Sequence, residues 1–240
     1  MDNATPKPHT IRLYLEDWHY SAAGDGTKVF VPAGASNRSC AGWINFSPSE
    51  FTIPAFGRQR ISYSLSIPPD ASGGYYAALF FETKMTQANE ETNLLGLNLV
   101  VRIASLFYVE VEGTIKRSAE LSNLMLTNNP QENYLSLNLE MTNTGNVDIT
   151  AGGSYHILDT AGIVCARGEL NNVYTFSGEK AKFSAKWNKA LPQGKYDLVL
   201  TINLGKAVEE AGLGRGPVLT KEAEIEIGPD GQIASIGVLK

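Results

Sequence analysis

Between residues 43 and 82 the chain runs through three short alternating segments, each closed by proline or glycine. Trp43-Ile44-Asn45-Phe46 ends at Pro48, and Phe51-Thr52-Ile53 ends at Pro54. Ile61, Tyr63, Leu65 and Ile67 then occupy one phase, and Ser62, Ser64 and Ser66 the other. Successive side chains of an extended strand point to opposite faces, so this pattern predicts a half-buried strand with one solvated face. Pro68-Pro69-Asp70 stops it, because proline has no N–H to give a ladder. Residues 75–82, Tyr-Tyr-Ala-Ala-Leu-Phe-Phe-Glu, are almost wholly apolar, which predicts a central strand buried on both faces.

The same period governs the rest of the chain. Residues 10–18, 28–31 and 94–103 read as strands before residue 106. Residues 108–113, 121–126, 135–141, 154–158, 163–166, 181–187, 198–204 and 219–227 read as strands after it. Gly24-Asp25-Gly26, Asn143-Thr144-Gly145-Asn146 and Asp159-Thr160-Ala161-Gly162 are turn signals. No segment keeps a helical period, although Ala and Glu favour one short helix near residues 207–211. Strands at regular spacing with frequent turns predict an all-β protein of two sandwiches in series, over residues 1–106 and 107–240.

Composition narrows the functions open to such a chain. The formal charge of −5 and the absence of a basic tract argue against nucleic acid and anionic membranes as partners. No run approaches the ~18 apolar residues of a membrane helix. The 2 cysteines, Cys40 and Cys165, lack zinc spacing and read as small residues in or near the core.

Catalytic and metal-binding signals are missing. His9 lies in a polar start that reads as disordered, and neither His19 nor His156 has a partner at metal-ligand spacing. Residues 212–216 carry the glycines of a phosphate loop without its Gly-Lys-Ser/Thr ending. Glu16-Asp17 and Glu90-Glu91 are acidic pairs, too few oxygens for calcium. No catalytic residue, metal ligand or cofactor is assigned. Trp43 and Trp187 sit in strand patterns and are expected in the core. Trp18, ending a strand beside His19 and Tyr20, is the candidate for an exposed aromatic patch.

Residues 75–82, followed by an alternating strand ending in Leu106-Phe107-Tyr108, resemble the N-terminal half of a PapD-type periplasmic pilus chaperone. Residues 43–82 are similar to the immunoglobulin-like domain of WxL-interacting bacterial cell-surface proteins. Asn143-Thr144-Gly145-Asn146 and residues 191–204 look like a second such domain. The resemblance implies two immunoglobulin-like domains at work in the periplasm or at the cell surface. Members of these families begin with a secretion signal and two strands ahead of the segment equivalent to residues 10–18. On that pattern the first sandwich is expected to lack its N-terminal strands.

Pilus chaperones also hold a subunit's carboxylate with an arginine of the first strand and a lysine before the Leu-Phe-Tyr-like segment. Ser105 stands in the lysine's place, and Arg102 lies three residues upstream. The strand those chaperones lend to a subunit corresponds here to Val100, Asn98 and Gly96, of which Val100 alone is apolar. The richer phase, Leu95 to Ile103, is expected to face the protein's own core. Asn98, Val100, Arg102, Trp18 and Tyr20 are therefore the partner-binding candidates. The resulting expectation is a non-enzymatic chaperone-like or adaptor protein that binds a protein partner through an exposed sheet edge, as in pilus or surface-structure assembly. The alternative is a structural or adhesive surface protein that binds peptidoglycan or another glycan.

Overall fold

The computed structural model describes residues 1–86, 98–212 and 216–240. The chain forms two compact units, Met1–His19 with Val29–Gly113, and Tyr20–Lys28 with Thr114–Lys240. Both are built from antiparallel β-sheets.

Apart from the end residues Tyr20 and Lys28, the first unit contains β1 (His9–Tyr20), β2 (Lys28–Pro32), β3 (Ile44–Ser47), β4 (Glu50–Ile53), β5 (Ser62–Leu65), β6 (Gly74–Thr86) and β7 (Asn98–Glu110). A five-stranded sheet runs in the order β2-β1-β6-β7, with β4 paired to the start of β1. A two-stranded sheet, β3-β5, forms the opposing layer. The apolar run at residues 75–82 is the middle of β6, flanked on one side by β1 and on the other by β7. Its residues Tyr76, Ala77, Ala78, Leu79 and Phe80 are at most 4% exposed, as expected for a strand covered on both faces. Ile11, Leu13, Leu79 and Ile53 make one buried cluster; Cys40, Ala41, Ile44, Ala77 and Val109 make another.

Several expectations are revised in this unit. Residues 98–103 and 108–110 belong to one continuous strand, β7, and do not split at Leu106; Leu94, Leu95, Gly96 and Leu97 lie outside the described residues. The polar start is held in place. The Asn3 amide is buried and donates to the carbonyls of Lys7, Ile53 and Pro54 at 2.8, 3.3 and 2.9 Å. The Asn3 N–H donates to Gly57, and Arg58 pairs with Asp2. A polar composition concealed this because one buried asparagine supplies donors where a hydrophobic anchor would otherwise be needed. Trp43 ends a 3-10 turn (Ala41–Trp43), not a strand, and is only partly buried against Tyr75, with ring centroids 4.3 Å apart.

The second unit contains β8 (Ala119–Asn129), β9 (Tyr134–Asn143), β10 (Ile149–Asp159), β11 (Val164–Thr175), β12 (Lys180–Trp187), β13 (Gly194–Asn203), α1 (Lys206–Glu210), β14 (Val218–Ile227) and β15 (Ile233–Ile236). Its sheets are β11-β10-β13-β14-β15 and β12-β9-β8. In β9 the alternation is complete: Leu135, Leu137, Leu139 and Met141 are at most 2% exposed, and the residues between them are half-buried. They pack with Ile157, Phe183, Leu198 and Leu200 in one core cluster. At ~1.5–3 kcal/mol for each fully buried large apolar side chain, that cluster outweighs the local turn preferences. Trp187 is half-buried at its margin. Cys165 is exposed, contrary to the expected core position, because β11 turns that side chain to solvent; both thiols are free.

Candidate functional site

Among the described residues, β7 pairs with β6 alone, so its second backbone edge carries no ladder. Such an edge is a template for another strand. Two registers define its faces. Phe81 lies opposite Ile103, and Ala77 opposite Phe107. Residues directly opposite in an antiparallel pair share a face, so Leu99, Val101, Ile103, Ser105, Phe107 and Val109 point to the side of the sandwich interior. Val100, Arg102, Ala104, Leu106 and Tyr108 point to the outer face.

The inward phase was expected to be covered by the protein's own core. It is covered only at one end. Val109 is 8% exposed, whereas Ile103 is 60% and Leu99 50% exposed. The cause is the small second layer: two strands stand over five, and nothing among the described residues lies over the outer part of β7. β5 forms the facing rim. Its Tyr63 lies opposite Phe46 and is therefore inward, yet it remains 63% exposed. β5 pairs only with β3 among the described residues, so two free strand edges border the same uncovered interior.

The outer face is organised differently. Arg12, Glu82 and Arg102 lie opposite one another across β1, β6 and β7. The Arg102 guanidinium donates to Glu16 at 2.7 Å, lies 3.9 Å from the Glu82 carboxylate, and sits 4.1 Å from the Phe80 ring centroid. Tyr14 stacks on Phe80 and donates its hydroxyl to Glu82 at 2.9 Å. Burial, and then that bond to a carboxylate, hold the Tyr14 phenol above its ordinary range. Ala104 and Ala78 are small, which leaves Arg102 room to lie across the sheet. Arg102 is thus already committed to two carboxylates and two rings within its own sheet.

The other sequence candidates fall in different places. Asn98 begins β7, opposite Thr86, and Val100 is on the outer face at 47% exposure. Trp18 and Tyr20 form no exposed patch. Trp18 is 1% exposed, with edge contacts to Tyr76 and Tyr108 at 5.6 and 5.1 Å. Tyr20 is 6% exposed and belongs to the second unit, where its ring packs on Tyr174 and Phe176 and its hydroxyl donates to Asp148 at 3.3 Å. The partners of both lie far along the chain, so the strand-end position alone did not reveal their burial. The residues missed were Leu99, Ile103 and Tyr63. Their alternation was visible; the missing cover over them was not.

Cys40 and Asp17 are buried beside the β6 end of this unit. Burial pushes the Cys40 thiol up to about 12, and the Asp17 carboxylate adds to the shift. Asp17 accepts from the Ser36 N–H and the Ser39 hydroxyl, so it fixes a loop. Among the described residues no helix is long and apolar enough to cross a membrane.

No family model and no curated protein matches the sequence. Among solved structures, the chain is similar to the class 5 fimbriae chaperone CfaA, at 14% identity over 91% of this chain and 87% of that one, with a TM-score of 0.49. It is also similar to a chaperone–tip adhesin complex of CFA/I fimbriae biogenesis, at 14% identity over 91% of this chain and 88% of that one, with a TM-score of 0.45. A third similar structure is the CsuC–CsuE chaperone–tip adhesion subunit pre-assembly complex from archaic Csu pili of Acinetobacter baumannii, at 12% identity, 91% and 87% coverage, and a TM-score of 0.39.

Proposed function

We propose that the protein is a non-enzymatic, extracytoplasmic chaperone-like or adaptor module that binds an extended segment of a protein partner along β7. The observation that carries this reading is the β7 edge, unpaired among the described residues, with apolar side chains exposed beside it, Leu99 and Ile103 above all. Main-chain pairing supplies affinity in strand addition, and alternate side chains supply selectivity. The extracytoplasmic setting and the assembly role come from the sequence resemblance to pilus chaperones. The glycan-binding alternative drew on the similarity to WxL-interacting proteins and on an exposed Trp18–Tyr20 patch; the two side chains of that patch are buried.

The reading is tested by fluorescence anisotropy with labelled decapeptides in which valine alternates with serine. The control peptide has the same composition with its valines grouped together. The alternating peptide is expected to bind, the grouped one to bind at least tenfold more weakly, and Ile103→Lys to lose the difference. Equal binding of the two peptides, or none, contradicts strand addition at this edge.

A further inference from the structure

We propose that the first unit is a strand acceptor: the rim between β5 and β7 takes up a partner segment whose alternate side chains, uncharged and apolar, enter the sandwich between Tyr63 and Ile103. This rests on the reading of β7 as the binding edge. It adds the face that is used and the chemistry of the partner, and it reverses the direction expected from sequence, in which β7 would be lent to a partner.

The unit is asymmetric in a way that a completed sandwich is not. Stacked sheets share one layer of interdigitated side chains about 10 Å thick. At the covered end that layer is closed: Ala77, Leu79 and Val109 are 0%, 3% and 8% exposed. Along the same phase of the same sheet, Ile103 and Leu99 are at least half exposed, and Tyr63 on the facing sheet is 63% exposed. The alternation is that of buried strands, and no strand among the described residues covers it. What fits must do two things at once: pair with a row of backbone donors and acceptors, and place a side chain inward at every second residue. An extended strand does both.

Charge selects the inserted phase. Leu99, Val101, Ile103, Ser105, Phe107 and Val109 on β7, and Tyr63 and Leu65 on β5, include no ionisable acid or base of ordinary pH. Arg102 and Lys84, which lies opposite Val100, are on the other face, and Arg102 is paired with Glu16 and Glu82. A charged side chain entering this side would lose water and gain no counter-charge, so the partner's inward residues are uncharged.

A second copy of the chain fits less well. Two β7 strands paired edge to edge would complete the ladder but leave Tyr63 and the β5 edge uncovered. The half-exposed inward side chains offer on the order of 300 Å², against about 800 Å² per partner for a stable interface. An inserted strand adds its own inward side chains to that area, together with a row of main-chain hydrogen bonds.

The test uses the whole chain and the alternating valine–serine decapeptide, comparing Tyr63→Lys with Ser64→Lys. Both lie on β5, away from the β7 ladder, and Ser64 points outward. Tyr63→Lys is expected to weaken binding at least tenfold and Ser64→Lys less than twofold, with Tyr63→Ala intermediate and all variants retaining cooperative thermal unfolding. Replacing two alternate valines by glutamate is expected to abolish binding. If the peptide binds and both lysine variants leave its affinity unchanged, the partner stays outside the sandwich; the acceptor proposal then fails while the edge reading stands. If the wild type binds no alternating peptide, the edge reading itself fails. A concentration-dependent doubling of mass without peptide, with Tyr63 shielded from tyrosine-directed labelling, assigns the rim to a second copy and overturns the proposal.

Discussion

Tyr63 on β5 and Phe107 on β7 meet across the two sheets of the first unit, with ring centroids 5.3 Å apart and planes at 82°, although Tyr63 keeps 63% of its surface in solvent. It is a cross-sheet contact at the rim where cover runs out. An edge-to-face pair contributes ~0.5–1.5 kcal/mol beyond area burial. A double-mutant cycle of Tyr63→Ala and Phe107→Leu, read by urea denaturation, is expected to give a coupling of about 1 kcal/mol. Strict additivity would mean that the two sheets do not lean on each other at this point.

Arg102 braces the outer face. Its side chain is 40% exposed, so its ion pair with Glu16 is screened and contributes no more than ~1 kcal/mol. The stacking over Phe80 adds ~0.5–1 kcal/mol. Arg102→Ala is expected to destabilise the first unit by about 1–2 kcal/mol. Arg102→Lys recovers only part of that, because an ammonium lacks the planar face that lies on the ring. The wild type should lose the ion-pair share in 1 M salt. Equal stability of all three proteins would show that the brace is idle.

Asn143 fixes the turn that follows β9. Buried completely, it donates to the carbonyls of Val147 and Thr175 at 2.9 and 3.3 Å and accepts from the Gly145 N–H at 2.9 Å. Asn143→Ala removes these bonds inside the protein and is expected to cost about 2–4 kcal/mol in chemical denaturation of the second unit. A loss under 0.5 kcal/mol would contradict this role.

The two thiols should behave oppositely. Cys165 is exposed, whereas Cys40 is buried and its thiol is pushed up to about 12. Thiolate, not thiol, reacts with disulfide reagents. At pH 8 the native chain is expected to release one equivalent of thionitrobenzoate from Ellman's reagent, lost in Cys165→Ser, with the second appearing only on unfolding. Two fast equivalents would contradict the burial of Cys40.

Alkali should unfold the protein through its phenols. Burial holds Tyr155 above its usual value of 10.0, and burial together with the Glu82 bond does the same for Tyr14. The folded state then keeps those protons to higher pH than the unfolded chain does. Their contribution is complete below the unfolded value and is lost as pH rises through the folded values. The thermal midpoint should hold level to about pH 9 and fall above about pH 10, less steeply in Tyr155→Phe.

The strands were largely legible because period-two burial is a local signal. β9 matches its alternation residue by residue, and the centre of β6 is buried along its unbroken apolar run. The turn at Asn143 was visible from its residue types, but the buried amide holding it was not, since the carbonyls it binds are set by folding. The site was legible only in part. The inward phase of β7 reads as core because Leu99, Val101 and Ile103 alternate as core residues do. Exposure depends on whether another strand lies over them, and strand order in space is not written in any one segment. Trp18 failed for the same reason in reverse: Tyr76 and Tyr108 cover it from distant positions.

Amide hydrogen exchange across β7, with and without the alternating valine–serine peptide, tests the central claim most directly. Saturating peptide is predicted to slow exchange at least tenfold at the β7 amides that do not bond to β6, between residues 98 and 110, and to leave β8 to β15 unchanged. Protection that appears elsewhere, with the β7 edge still exchanging at its free rate, would contradict strand addition at this site.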